Sequence, residues 1–233
     1  MFNFKEGEVL LVDKDSGWTS FDVVNSLRYS ILKSLKQKKI KVGHAGTLDP
    51  LATGLLIICT GKKTKEIDKY QAADKVYEGI ITLGGVRPSM DMETEITETF
   101  DISEITEEDI LRVAKSFEGR QQQTPPAFSA VKVDGVRAYQ LARDNKEVEL
   151  KKRDITIHYF KVKKIELPDI HFEVKCSKGT YIRSLARDFG ERLNNGAYLK
   201  SLRRTAIGGF SVDDALTVAK IKEIIKAATP ENQ

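Results

Sequence analysis

The stretch Gly43-His44-Ala45-Gly46-Thr47-Leu48-Asp49-Pro50-Leu51-Ala52-Thr53-Gly54 wraps one carboxylate in glycines. Glycine lets backbone reach positions that a side chain would obstruct, and proline fixes the torsion directly after Asp49. The segment reads as a shaped loop that holds Asp49 toward a ligand or substrate. A plainer reading is a tight turn between a basic segment and the apolar run Leu55-Leu56-Ile57-Ile58-Cys59, with Asp49 capping the turn. The loop residues by themselves leave both readings open.

Working outward, Glu8-Val9-Leu10-Leu11-Val12 predicts a short buried strand. Thr19-Ser20-Phe21-Asp22 then predicts a helix start, because the acid three residues after Thr19 can complete a capping box. Phe21, Val24, Leu27, Ile31 and Leu35 follow at helical spacing. After the loop come a strand over 55–59 and another over 75–83, whose alternation places Tyr77, Gly79, Ile81 and Leu83 on one face. A second helix start at Thr106 leads into Ile110, Val113, Ala114 and Phe117, with Gly119 as its stop. The polar, proline-containing run from Gln121 begins a turn-rich insertion over about 121–153, and antiparallel strands over 155–162 and 172–176 follow. A helix opened by residues 177–180 carries Ile182, Leu185, Ala186, Phe189 and Leu193 on its apolar side. Residues 211–228 predict a closing helix. No internal repeat or linker divides the chain.

At 233 residues, 40% hydrophobic and 31% charged, the chain has the composition of a globular protein with a full core. No apolar run reaches membrane-spanning length and no secretory signal opens the chain, so a cytoplasmic protein is expected. Cys59 and Cys176 stand alone in apolar or alternating contexts, without the spacing that holds zinc, and are expected to be buried, reduced thiols. The net charge of +4 conceals an asymmetry: residues 87–109 hold nine acids against Arg87, a net of −8, so the remainder carries +12. Basic clusters at 33–41, 62–65, 151–153, 161–164 and 200–204 suit a polyanionic partner.

The three histidines, His44, His158 and His171, include none beside a nucleophile motif. Glycosidase chemistry needs two facing carboxylates, whereas the glycine loop supplies one. A phosphate-cradling Gly-x-x-x-x-Gly-Lys is absent. A single activated carboxylate is what remains.

The loop closely resembles the signature loop of the TruB family of tRNA pseudouridine synthases, bacterial type, in which the aspartate is catalytic. That resemblance assigns the catalytic role to Asp49. It implies that Tyr77, in Lys75-Val76-Tyr77, is an active-site residue that stacks on the uracil and is a candidate to move a proton. Cys176-Ser177-Lys178-Gly179-Thr180-Tyr181-Ile182-Arg183 is similar to the family's strand-to-helix motif, whose arginine pairs with the aspartate, so Arg183 is expected to keep Asp49 ionised. Leu202, in Leu199-Lys200-Ser201-Leu202-Arg203-Arg204, would pack beside the target base, and His44 would fill the space that the flipped base leaves. Lys14, Tyr181, Gly43 and Gly46 complete the expected substrate-binding set. Thr124-Pro125-Pro126-Ala127-Phe128-Ser129-Ala130-Val131-Lys132 resembles part of a thumb that grips RNA. Around Lys14 the family usually has proline where Asp15 stands here.

The resemblance implies an α/β fold of α+β type, the pseudouridine synthase fold, with a mixed, largely antiparallel central sheet flanked by helices. Its catalytic domain would span 1–210, and 211–233 would form a helix and tail without the C-terminal RNA-binding PUA domain of many relatives. The implied activity is isomerisation of the uridine at position 55 in the tRNA T-loop, without cofactor or metal, by a monomer. Such an enzyme must extrude the base, which calls for an aromatic surface and phosphate-binding cations. The rivals are a non-catalytic RNA-binding chaperone that folds tRNA and a synthase for another RNA stem-loop. A chaperone has no use for a carboxylate facing phosphates.

Overall fold

The computed structural model describes residues 3–129, 132–133, 135–143 and 150–227. In chain order its elements are β1 (Val9–Lys14), α1 (Ser20–Ser34), β2 (Val42–Ala45), β3 (Thr53–Thr60), α2 (Ile67–Ala72), β4 (Lys75–Leu83), β5 (Gly85–Val86) and β6 (Glu98–Thr99). There follow α3 (Glu107–Ser116), β7 (Gly119–Gln123), β8 (Lys132–Val133), β9 (Val136–Arg137), α4 (Ala138–Arg143), β10 (Arg153–Glu166) and β11 (Asp169–Cys176). The chain closes with α5 (Ile182–Arg192), β12 (Ala197–Ile207), β13 (Phe210–Ser211), β14 (Leu216–Thr217) and α6 (Val218–Ala227). The fold is mixed α/β, and most strand pairings are antiparallel. No helix among the described residues is long and apolar enough to cross a membrane.

The chain divides into two compact units, one of residues 1–76 and 203–233 and one of 77–202. In the first, β3 pairs antiparallel with β1 and with β2, while β14 pairs parallel with β1. Arg203 and Arg204 of β12 pair parallel with Thr53 and Gly54 of β3. Seven consecutive residues of β3, from Gly54 to Thr60, are buried, which is why its sequence is a continuous apolar run and not an alternating one. Leu56 and Ile58 join Val23, Leu27 and Ile31 of α1 and Ile221 and Ile225 of α6 in one core cluster. Each such buried aliphatic side chain contributes roughly 1.5–3 kcal/mol relative to exposure. Thr19 caps α1, with Asp22 completing the box. Phe21, expected on the apolar side, is 61% exposed, and Val23 takes the buried place.

In the second unit β10 pairs antiparallel with β11 and β7. Residues of β11 alternate between buried and half-buried, as a strand with one core face should. Phe117, Phe160, Phe172 and Phe189 stack at centroid separations of 5.4 to 6.0 Å to form the core behind it. Thr106 and Asp109 form the second capping box, on α3.

Two local expectations change. Gln121 to Gln123 do not begin a loop: they are the end of β7, paired with Arg153, Asp154 and Ile155 on β10, where backbone hydrogen bonds outweigh the weak strand preference of glutamine. Residues 211–217 do not join the closing helix. Ser211 caps a short 3-10 turn, Leu216 and Thr217 pair with β1, and α6 starts only at Val218. Of the expected thumb motif, Ala130 and Val131 lie outside the described residues, as do residues 228–233 of the tail.

Candidate active site

Asp49 is half-buried in the irregular segment between β2 and β3. Its neighbours in sequence are fixed from several sides. Ser20, 2% exposed at the start of α1, accepts the Leu48 N–H at 2.8 Å and donates to the Leu48 carbonyl at 3.1 Å. The Gly17 N–H donates to the Pro50 carbonyl at 2.8 Å, and the Ala52 N–H to the carbonyl of Asp49 itself at 3.1 Å. The capping turn and the shaped loop are thus one object, in which Asp49 does close a turn and its flanks are held.

Lys14 ends β1, where alternation turns its side chain into the protein. It is fully buried, and its ammonium donates to the carbonyls of Trp18 at 2.7 Å, Asp15 at 3.0 Å and Pro50 at 3.3 Å. Burial pushes its pKa down to about 8, while the Asp49 carboxylate pulls it back up. Lys14 and Asp49 therefore sense each other's charge, and the three carbonyls take up the ammonium's donors.

His44 lies on β2 and pairs through its backbone with Ile58. Burial first and the Arg204 guanidinium second hold its pKa below the ordinary value, which favours the neutral imidazole. Its Nδ1 is buried with no hydrogen-bond partner among the described residues. Gly43 precedes it on β2, where a Cβ would come within 2.8 Å of the Ile67 side chain. Gly46 adopts φ +87°, a torsion that favours glycine and turns the chain out of β2.

Tyr77, Tyr181, Arg183 and Leu202 belong to the second unit. Tyr77 is 8% exposed on β4, and Leu202 is half-buried on β12. Tyr181 is the residue before α5, where Gln123 accepts its N–H at 2.8 Å and donates to its carbonyl at 3.0 Å. Arg183 is 5% exposed on α5. It donates to the carbonyls of Phe128 at 2.8 Å and Ser89 at 3.2 Å, and its Nε lies 3.6 Å from the carboxylate of Asp91. In the sequence Asp91 is one acid in an acidic run, with no local signal to distinguish it. Cys59 and Cys176 are free and buried, and burial pushes the Cys59 thiol up to about 11. No cluster of three metal-ligating side chains occurs among the described residues.

Comparison with known proteins places these residues in context. A model described as TruB family pseudouridylate synthase (N terminal domain) matches residues 33–182, and one described as tRNA pseudouridylate synthase B C-terminal domain matches 183–233. A protein of Phocaeicola vulgatus named tRNA pseudouridine synthase B is 53% identical over 95% of this chain and 94% of its own length. Its namesake in Flavobacterium johnsoniae is 50% identical over 96% and 98%. Among solved structures, a chain of a Cbf5-Nop10-Gar1 complex superposes with a TM-score of 0.71 at 31% identity, covering 94% of this chain and 54% of that one. A chain of an H/ACA RNP bound to a substrate RNA containing 2'-deoxyuridine gives 0.69 at 28% identity, over 98% and 57%. This chain spans about half the length of those two structural neighbours.

Proposed function

Since this chain belongs to the TruB family of pseudouridylate synthases, we propose that it isomerises the T-loop uridine at position 55 of tRNA to pseudouridine, with Asp49 as the catalytic carboxylate. The bond between ribose C1′ and uracil N1 breaks, the base turns, and C1′ rejoins the base at C5. The C5 hydrogen leaves as a proton while N1 takes one up, so atoms balance without oxidant, reductant or cofactor. The uridine must leave its stack first, and proteins commonly hold an extruded base between aromatic and apolar side chains. Tyr77 and Leu202 supply such surfaces in this reading. Arg183 favours the charged form of Asp49, and His44, Tyr181, Gly43 and Gly46 serve substrate binding, while Lys14, buried with its donors on three carbonyls, serves it by holding the loop and not by touching RNA. The enzyme works as a monomer in the cytoplasm on the T-arm stem-loop.

The observation that carries the proposal is the fixing of Asp49 between Leu48, held by Ser20, and Pro50, held by Lys14. Holding a reactive group in one geometry is worth a large part of an enzymatic rate enhancement. The test is tritium release from unmodified tRNA labelled at uracil C5, with the product mapped along the chain. One tritium released per tRNA, mapping to position 55, is expected. No release would overturn the proposal, and release from another stem-loop would overturn the assignment of substrate.

A further inference from the structure

Arg204 is 1% exposed, and no carboxylate among the described residues pairs with it. Its donors go instead to three main-chain carbonyls: Nε to Leu55 at 2.8 Å, one terminal nitrogen to Gly46 at 3.1 Å and the other to Thr47 at 3.5 Å. Gly46 and Thr47 open the segment that contains Asp49, and Leu55 lies just beyond its close. One planar side chain thus joins both ends of a ten-residue stretch, 46–55, with Asp49 between them.

The approach is built into the sequence at Gly54. This residue pairs with Arg204 across the β3 to β12 ladder, and a Cβ there would lie 2.3 Å from the Arg204 carbonyl oxygen. Only glycine lets the two backbones come so near at φ +100°. A buried guanidinium without a carboxylate is an expensive way to fill space, because its desolvation is offset only by the carbonyl dipoles. An apolar side chain would fill the same space at lower cost, but it could not donate to the carbonyls of 46, 47 and 55 together. The charge is also felt by neighbours of the loop: it depresses the pKa of both His44 and Lys14.

We infer that Arg204 is a positioning residue, a clamp that closes the 46–55 segment and thereby fixes where Asp49 stands. It acts through the main chain and does not itself reach RNA. This inference rests on the reading of Asp49 as the catalytic carboxylate.

Arg204→Lys keeps the charge but replaces three nitrogens, each at its own carbonyl, with a single ammonium that cannot stand at all three places. We expect kcat to fall at least tenfold with KM within about threefold, and amide hydrogen exchange over 46–52 to accelerate at least tenfold while exchange in β10 and β11 stays unchanged. Wild-type turnover in the variant, or exchange over 46–52 unchanged, would overturn the clamp. Should the variant not fold, exchange in the wild-type protein decides: protection over 46–52 comparable with that of β3 is expected, and exchange as fast as in an unstructured loop would overturn it. Asp49→Asn separates the two ideas, because turnover in that variant removes the catalytic reading while the exchange result still judges the clamp.

Discussion

The ammonium of Lys14 donates to the carbonyl of Pro50 at 3.3 Å, tying the residue after Asp49 to the end of β1. That ammonium is buried, and its pKa falls from 10.5 to about 8 on folding. Between those two values the unfolded chain binds more protons than the folded one, so this group makes stability rise with pH there. Below about pH 8 both states are protonated, and the full burial cost is present. Urea denaturation at pH 7.5 and 9.5 should show this rise in the wild type and a smaller one in Lys14→Met. Equal pH slopes for the two proteins would remove Lys14 from the account.

Gly54→Ala should destabilise the protein by about 2–5 kcal/mol, combining a left-handed torsion with overpacking against the Arg204 backbone. Gly17 provides the comparison, since it also has positive φ but nothing lies within 4 Å of its missing Cβ. Gly17→Ala should therefore cost only about 1–2 kcal/mol, the torsional part. Similar losses in both variants, measured by urea denaturation, would mean that the β3 to β12 approach is looser than described.

Arg183 serves two carbonyls and the Asp91 carboxylate at once, a geometry that suits a planar fork. Arg183→Lys should reduce turnover at saturating tRNA by at least tenfold and change affinity little, because the group is nearly buried. Normal turnover with weakened affinity would make Arg183 a phosphate contact and not a partner of the chemistry.

An isolated T-arm hairpin should be nearly as good a substrate as whole tRNA, with both affinities falling steeply and similarly as salt rises. Lys5, Lys39, Lys41, Lys62 and Lys65 line one hollow of about 290 Å³, a concentration of charge that suits phosphate contacts to a short stem. The check is kcat/KM for hairpin and tRNA at two salt concentrations. An advantage of more than about tenfold for tRNA, roughly 1.4 kcal/mol, would show that the enzyme grips more than the T-arm.

Much of the fold was legible because local signals agreed with the final environment. Thr19 with Asp22 and Thr106 with Asp109 form the capping boxes that their spacing predicts, and β11 alternates as its sequence does. Gln121 to Gln123 are not legible as a strand because a strand is made by its partner as much as by its residues, and nothing local shows β10 beside them. The loop around Asp49 was legible from its glycines, but what holds it was not. Lys14 and Arg204 look like surface cations in a basic chain, and their burial depends on carbonyls brought together from distant segments. One signal was available: Arg203 and Arg204 are adjacent on a strand, so they must face opposite ways. Arg203 forms a two-point ion pair with Asp13 at 2.8 and 3.0 Å, and Arg204 faces inward.

The account stands or falls on Asp49, whose replacement by asparagine keeps shape and removes the carboxylate. Single-turnover tritium release from C5-labelled, unmodified tRNA, measured beside filter binding of the same RNA, tests it most directly. The prediction is no release above background with binding within a few-fold of wild type. Measurable release by Asp49→Asn would contradict it and leave the held loop without its catalytic group.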